Sequence, residues 1–421
     1  MHSWMAFICL VPALGATPTL TLEDALRQAV ASDARFELSR MDERIADQRF
    51  GESLGQVIPS LRLGATLTRN AKEIRVGEGA SARVVSPLYL PQGTASARAT
   101  LFRGPQIPEL LAVRHEANAT HDAQAEQQDE LLHEIASLYL ELAEAQAGIS
   151  VRNKSLEVAN ELLALTTSRT SLGMGVPSEV AQARAEQARA LAEQKAALGI
   201  MNERANWLYF RLGLSEETEA SLSCNRCIPV PSAQDMGSLK ARTDLSAYAQ
   251  LAKAAEIRTL GSWLGFLPEI EAVGNLRLSE PTLFNPEVVW WNAQVVASWE
   301  IFSGTRDLAR HVRFNIEERR AQEASRLAHE EADVGIRQAK LNWETRTAER
   351  LAAQAALEAA RSGFARAKTR FQEGAASFFE VTEMARRQTD AEEAAIRADF
   401  AVEHAVLRLR RALGLAPVEM Q

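Results

Sequence analysis

The chain has 421 residues, of which 46% are hydrophobic, 24% charged and only 6% aromatic, and its net charge is −8. Richness in Ala, Glu, Arg, Gln and Leu reads as long helices rather than compact globular domains. The acidic balance argues against a nucleic-acid partner, which favours a basic stripe, and the interspersed charges read as solvated helix faces.

In chain order, Trp4 to Ala16 is an apolar run too short to span a bilayer as a helix. Residues 1–16 therefore read as an export signal, with Ala13-x-Gly15 as a small-residue cleavage site and Ala16 as the alternative, although no Lys or Arg precedes the run. Cys9 follows Ala6-Phe7-Ile8, which is not the small-residue context of a lipidation signal. No later apolar helical run reaches about 18 residues, so export implies a secreted, periplasmic or outer-membrane protein. Leu20-Thr21-Leu22-Glu23-Asp24-Ala25-Leu26 starts a short helix with Thr21 as N-cap. A second helical pattern covers 35–54 and stops before Ile58-Pro59.

After Pro59 the period changes to two. Leu61, Leu63, Ala65 and Leu67 alternate with Arg62, Gly64, Thr66 and Thr68. A polar loop follows. Then Ala95, Ala97, Ala99 and Leu101 alternate with Ser96, Arg98 and Thr100. A second pair follows Leu267-Pro268, with Ile270 to Leu278 and Ala293 to Ile301 alternating in the same way. Each strand has the length a tilted strand needs to cross a bilayer; a soluble pair of hairpins is the competing reading. Trp290, Trp291 and Phe284 suit an aromatic girdle at one interface, and Phe102 and Phe302 suit the other. Four strands cannot close a barrel and open edges are not tolerated in lipid, so several chains must contribute.

The plan of the chain is a duplication. Leu101-Phe102-Arg103-Gly104 and Ile301-Phe302-Ser303-Gly304 each precede a long helical pattern, and the two glycines are 200 positions apart. Gly374−Gly173, Glu380−Glu179, Val381−Val180 and Gly414−Gly213 are each 201. The helices expected over 108–171 and 307–372 would run roughly 95–100 Å at ~1.5 Å per residue and need a coiled-coil partner. Ala353, Leu357, Ala360, Phe364, Ala367 and Phe371 form one seam. Val381, Met384, Gln388, Ala391, Ala395, Ala398, Val402, Ala405 and Leu409 form the return seam, and Leu131, Ile135, Leu138 and Leu142 make a stripe in the first half with Tyr139 beside it. The domains read as a first repeat over 17–215 (strand pair 60–102, helical hairpin 104–214), a linker over 216–240, and a second repeat over 241–421 (strand pair 268–302, helical hairpin 304–415).

The linker holds Cys224-Asn225-Arg226-Cys227. Ile228-Pro229-Val230-Pro231 follows, so the motif does not open a helix as a thioredoxin-type site does, and no second CxxC completes a zinc site. A structural disulfide between Cys224 and Cys227 is favoured in an oxidising compartment. No HExxH, GxSxG or P-loop occurs, so no catalytic residue, metal ligand or cofactor is assigned.

An exported duplication of strand pair, very long helix, glycine-containing turn and return helix resembles the TolC-type outer-membrane efflux proteins. The residues that carry the resemblance are Leu20 to Leu26, Leu54 to Pro59, Leu267-Pro268, the two Phe-x-Gly stretches, and the tip turns Gly173 to Val180 and Gly374 to Val381. The ordered set is specific, although no single motif is. The resemblance implies a mainly α fold with a β-barrel part. Three copies would contribute twelve strands to one outer-membrane barrel and their helices to a periplasmic α-barrel. It implies a passive duct that meets outer-membrane lipid and docks a periplasmic adaptor and an inner-membrane transporter, with no nucleic acid. The adaptor-docking tips are Leu172, Gly173, Met174, Glu373, Gly374 and Ala375. Glu380 and Glu383, with Glu179 on the facing tip, correspond to the acidic ring at the periplasmic entrance, where crowding would raise some carboxyl pKa values. On residues alone, Ser377-x-x-Glu380 is a capping box and Glu383–Arg387 an i,i+4 ion pair. Phe371 stands where the family has a latching tyrosine, and Ala376 where it has an arginine that would serve Glu179. The alternative is a periplasmic coiled-coil scaffold or adaptor without a membrane barrel. The exported substrate stays open among drug, heavy metal and protein.

Overall fold

The structure is a computed structural model that describes residues 19–79, 82–214, 221–222, 227–232, 242–282 and 287–418. The expected signal segment, Cys224, Phe284 and most of the 216–240 linker lie outside the described residues. In chain order the elements are β1 (Thr19–Leu20), α1 (Leu22–Ser32), α2 (Ala34–Gly55), β2 (Ser60–Arg69), β3 (Ile74–Val76), β4 (Arg83–Ser86), β5 (Tyr89–Phe102), α3 (Gln106–Ser171) and α4 (Pro177–Leu212). Then come β6 (Ser221–Leu222), α5 (Thr243–Trp263), β7 (Glu269–Ser279), β8 (Val289–Ser298), α6 (Arg306–Gln372) and α7 (Phe378–Ala412). The chain is mainly α, with helices of 66 and 67 residues where the duplicated pattern predicts them. Among the described residues no helix is long and apolar enough to cross a membrane.

Two compact units emerge: 1–38, 127–242 and 331–421 form one, and 39–126 with 243–330 form the other. Each sequence repeat contributes to both. In the first unit, Thr21 caps α1 by accepting from the Asp24 N–H at 3.2 Å, as its position predicts. That start turns Leu22, Ala25, Leu26 and Ala29 into one core with Ile135, Tyr139 and Leu142 of α3 and Leu208 and Leu212 of α4. The Tyr139 hydroxyl is buried and donates to the Leu20 carbonyl at 2.8 Å, which satisfies its polar end. A smaller core near the helical turns gathers Leu162, Ala183, Phe364, Phe371, Phe378 and Val381. The predicted seams hold. Phe364, Ala367, Phe371, Val381, Ala395, Val402, Ala405 and Leu409 are buried, and the remaining seam positions are half-buried.

In the second unit β2-β5-β7-β8 form one antiparallel sheet in that order. Several elements depart from the sequence reading, among them β5, which starts at Tyr89 rather than Ala95. The loop after β2 contains a small hairpin, β3 with β4, whose short strands lack a sustained period of two. Strand β8 runs from Val289 to Ser298, so it starts before Ala293 and ends before Ile301. Helix α5 occupies residues for which the periodicity named no element. Its end is fixed by close approach: a Cβ on Gly104 would lie 1.9 Å from the Leu264 carbonyl oxygen, and one on Gly261 would lie 2.3 Å from Pro108 Cβ. Arg258 on α5 donates to Glu109 (2.8 Å) and Glu116 (3.0 Å) of α3, which ties the two helices together.

Candidate functional site

The tips are built by the same hydrogen bonds twice. Gly173 and Gly374 have φ of 74° and 78°, in the left-handed region that glycine adopts without strain. Around them Gly173 N–H donates to Thr170 O (3.1 Å) and Met174 N–H to Arg169 O (2.9 Å). Their 201-shifted counterparts are Gly374 N–H to Phe371 O (3.1 Å) and Ala375 N–H to Arg370 O (2.7 Å). This is the paired-bond helix stop that satisfies the last carbonyls of a helix. At the first tip Leu172 (67%) and Met174 (62%) are exposed, and Glu373, Gly374 and Ala375 are exposed at the second. Phe379, beside Glu380, is 75% exposed.

The carboxylates of the tips have partners within the chain. The Glu380 N–H donates to Ser377 Oγ at 3.2 Å, which is the N-cap half of the expected box. The Glu380 carboxylate turns instead to Arg370, whose Nη1 lies 2.7 Å from Oε1. Glu383 pairs with Arg387 at 2.9 Å, as the i,i+4 spacing predicts. Glu179 accepts a long 3.5 Å bond from the Val176 N–H of its own turn.

One residue of the tips was missed from sequence. Arg169, in the last turn of α3, donates to the Phe371 carbonyl, and its guanidinium lies 4.6 Å from the Phe371 ring centroid. It joins the first tip to the second through Phe371. The available signal was the duplication, because Arg169 and Arg370 are 201 apart. The two arginines do different things: Arg169 crosses to the other tip, whereas Arg370 folds back on Glu380 and on the Ala375 carbonyl (3.1 Å).

At the sheet, the strand registers sort every side chain onto one of two faces. Leu61, Leu63, Ala65 and Leu67 stand opposite Ala97, Ala95, Gly93 and Pro91. These continue into Gly274, Leu276 and Leu278 on β7 and into Ala293, Trp291 and Val289 on β8. Every residue of that face between those rows is apolar. The other face carries Arg62, Thr66, Gln92, Thr94, Ser96, Arg98, Glu271, Asn275, Arg277, Asn292 and Gln294, together with Val273, Val296 and Trp290. Of the expected aromatic belt, Trp291 is on the apolar face in the row of Leu63, Ala95 and Leu276, while Tyr89 stands at that face's rim with Arg69 5.8 Å from its ring. Trp290 does not join that belt. The strict alternation puts it on the polar face, with Arg277 5.3 Å from its ring. Phe102 reaches the apolar face through an irregularity after Thr100 that sets it opposite Ile270. Strands β2 and β8 are edges with no partner within the described sheet.

Cys227 is disulfide-bonded. Among the described residues no group of His, Cys, Asp and Glu is arranged to hold a metal ion.

Residues 238–415 match the family model of the outer membrane efflux protein. No curated protein matches the chain. Solved structures of similar fold include the outer membrane protein VceC of Vibrio cholerae, with a TM-score of 0.81 and 19% identity over 94% of this chain and 97% of that one. CusC, described for its transmembrane channel formation, gives 0.82 and 17% over 98% and 99%. The open state of the MtrE outer membrane channel of Neisseria gonorrhoeae gives 0.79 and 17% over 95% and 90%. The resemblance to TolC-type proteins is borne out in the fold along nearly the whole chain and in the family match of its second half.

Proposed function

We propose that this chain, a TolC-type outer-membrane efflux protein by its fold and by the match of its second half, is the outer-membrane channel of a tripartite efflux or export system. The observation that carries the reading is the sheet: one face apolar through its central rows, the other mostly polar, with two edges that have no partner among the described residues. In lipid, every edge must be paired and every outward side chain apolar. Copies of this sheet joined edge to edge meet both conditions and enclose a polar lumen. Three copies give twelve strands. A soluble scaffold would instead leave an apolar sheet face against water, with Leu61, Leu63 and Leu67 each about 70% exposed.

The exposed apolar tips Leu172 and Met174, with Glu373, Gly374 and Ala375, are the docking points for a periplasmic adaptor, which in turn engages an inner-membrane transporter. Glu380, Glu383 and Glu179 line the periplasmic entrance. Arg370 and Arg387 partly offset the charges of Glu380 and Glu383 within each chain. The duct carries its substrate passively.

Mass measurement in detergent should give a trimer that needs detergent for extraction and forms conductance steps in a planar bilayer. A water-soluble monomer would sink the architecture. In the same bilayers Glu380→Ala with Glu383→Ala should lower cation selectivity and weaken block by multivalent cations added from the tip side. Unchanged selectivity and block would leave both residues as capping and ion-pair groups only.

A further inference from the structure

The polar face of the sheet is not uniformly polar. The four strands carry four arginines, Arg62, Arg69, Arg98 and Arg277, and two acids, Glu269 and Glu271. Arg69 sits at the rim with Tyr89, on the parity of the apolar face. The other three arginines share the polar face. The registers place them on three successive rungs of that face: Arg98 with Ser60 and Val273, Arg62 with Ser96 and Asn275, Arg277 with Thr94 and Gly64. Successive rungs are two residues apart, so the three charges climb the face in steps of roughly 6.8 Å.

Both acids lie at the helical end of the sheet and are engaged. Arg103 reaches Glu269 at 3.2 Å and Glu271 at 2.8 Å, and Arg98 approaches Glu271 at 3.8 Å. Arg62 and Arg277 have no ion pair among the described residues. The Arg277 Nε is shielded from solvent without a hydrogen-bond partner, while its guanidinium rests against Trp290. The rest of the polar face offers hydroxyls and amides: Thr66, Thr94, Ser96, Asn275 and Asn292, with an Asn275–Asn292 bond of 3.1 Å. These groups solvate an oxyanion and leave the charges of Arg62 and Arg277 unopposed, while Arg98 shares Glu271 with Arg103.

Resting on the channel reading above, we propose that this face is an anion ladder. Arg98, Arg62 and Arg277 bind and pass oxyanions of the phosphate type through the membrane section of the duct. Guanidinium groups suit this task because their planar donor fork matches phosphate oxygens. Spacing the charges over several rungs keeps each site weak enough to release its ion to the next.

The test uses the full-length protein in planar bilayers, with inorganic tripolyphosphate added on the side of the β3–β4 hairpin. Half-block of the channel current should need at least about tenfold more tripolyphosphate in Arg62→Gln/Arg98→Gln/Arg277→Gln than in the wild type, because charge-assisted hydrogen bonds are lost. The corresponding lysine variant should keep the block within roughly threefold, since it retains the charge without the fork. Equal block in the wild type and the glutamine variant, with both forming trimers, overturns the ladder. Absence of a trimer or of conductance in the wild type would sink the channel reading instead. Calorimetric titration of tripolyphosphate into detergent-solubilised protein then decides the ladder alone: binding lost on the glutamine substitutions supports it, and binding that is absent or unchanged refutes it.

Discussion

Leu63 offers a direct test of which sheet face meets lipid. It sits mid-strand in the row Leu63–Ala95–Leu276–Trp291, all on the apolar face, and is 75% exposed within the single chain. Thr66 is three residues away on the same strand, in the polar row Thr66–Gln92–Ser279. A charged side chain on the lipid face of a β-barrel costs about 2–4 kcal/mol at the membrane midplane. Leu63→Arg should therefore cost about 6–12 kcal/mol in a trimer, three times that figure. On the channel reading, Thr66→Arg faces water in the lumen and should cost under about 1 kcal/mol. The assay is the urea concentration at which the oligomer, refolded into lipid vesicles, loses its resistance to dissociation. Leu63→Arg should lower that midpoint sharply or prevent insertion, while Thr66→Arg leaves it nearly unchanged. Equal midpoints for the two variants, or the reverse order, would refute the assignment of faces.

Three further outcomes are expected. Phe371→Ala removes a ring that is 1% exposed, packs 6.1 Å from Phe378 and carries Arg169, so it should cost about 3–5 kcal/mol and be read as a lower unfolding midpoint. Burial, with Arg411 and Arg410 nearby, pushes His133 down to about 4 against the opposing bond between Nε2 and the Leu415 carbonyl. The unfolded chain therefore binds the proton more tightly. Stability is full above pH 6.5 and falls by about 3 kcal/mol as pH drops towards 4, a slope that His133→Gln should flatten in thermal melts across that range. Peptide mapping without reductant should recover Cys224 and Cys227 in one disulfide-linked peptide; a free thiol at Cys224 would count against the pair.

What the sequence made legible follows from where information is periodic. The seam from Ala353 to Phe371 and the alternation from Leu61 to Leu67 each repeat a burial rule many times, so several residues carry the same signal. The Thr21 cap and the glycine turns are legible because each demands a particular backbone conformation. Helix α5 was not, because its buried positions, Leu245, Ala247, Ala254, Thr259, Gly261 and Ser262, are mostly small and partly polar. Its packing is set by close backbone approach at Gly104 and Gly261 rather than by an apolar stripe. The arginine rungs were equally hidden. Arg62, Arg98 and Arg277 each look like an ordinary polar-face residue in its own strand, and only the register between strands places them on one ladder.

The tips show where duplication stops being informative. A shift of 201 superimposes Gly173 on Gly374 and Arg169 on Arg370, and the backbone bonds around each pair are the same. The side chains are not, because the surroundings differ. At the second tip Ser377 caps the helix, so the Glu380 carboxylate is left for Arg370. At the first tip Val176 occupies the cap and cannot accept with its side chain, and the Glu179 carboxylate serves the Val176 N–H. Arg169 is thus left without an acid of its own tip and crosses to the carbonyl and ring of Phe371. One cap residue, serine against valine, accounts for why two equivalent arginines divide the work, one closing its own turn and the other tying the two tips together.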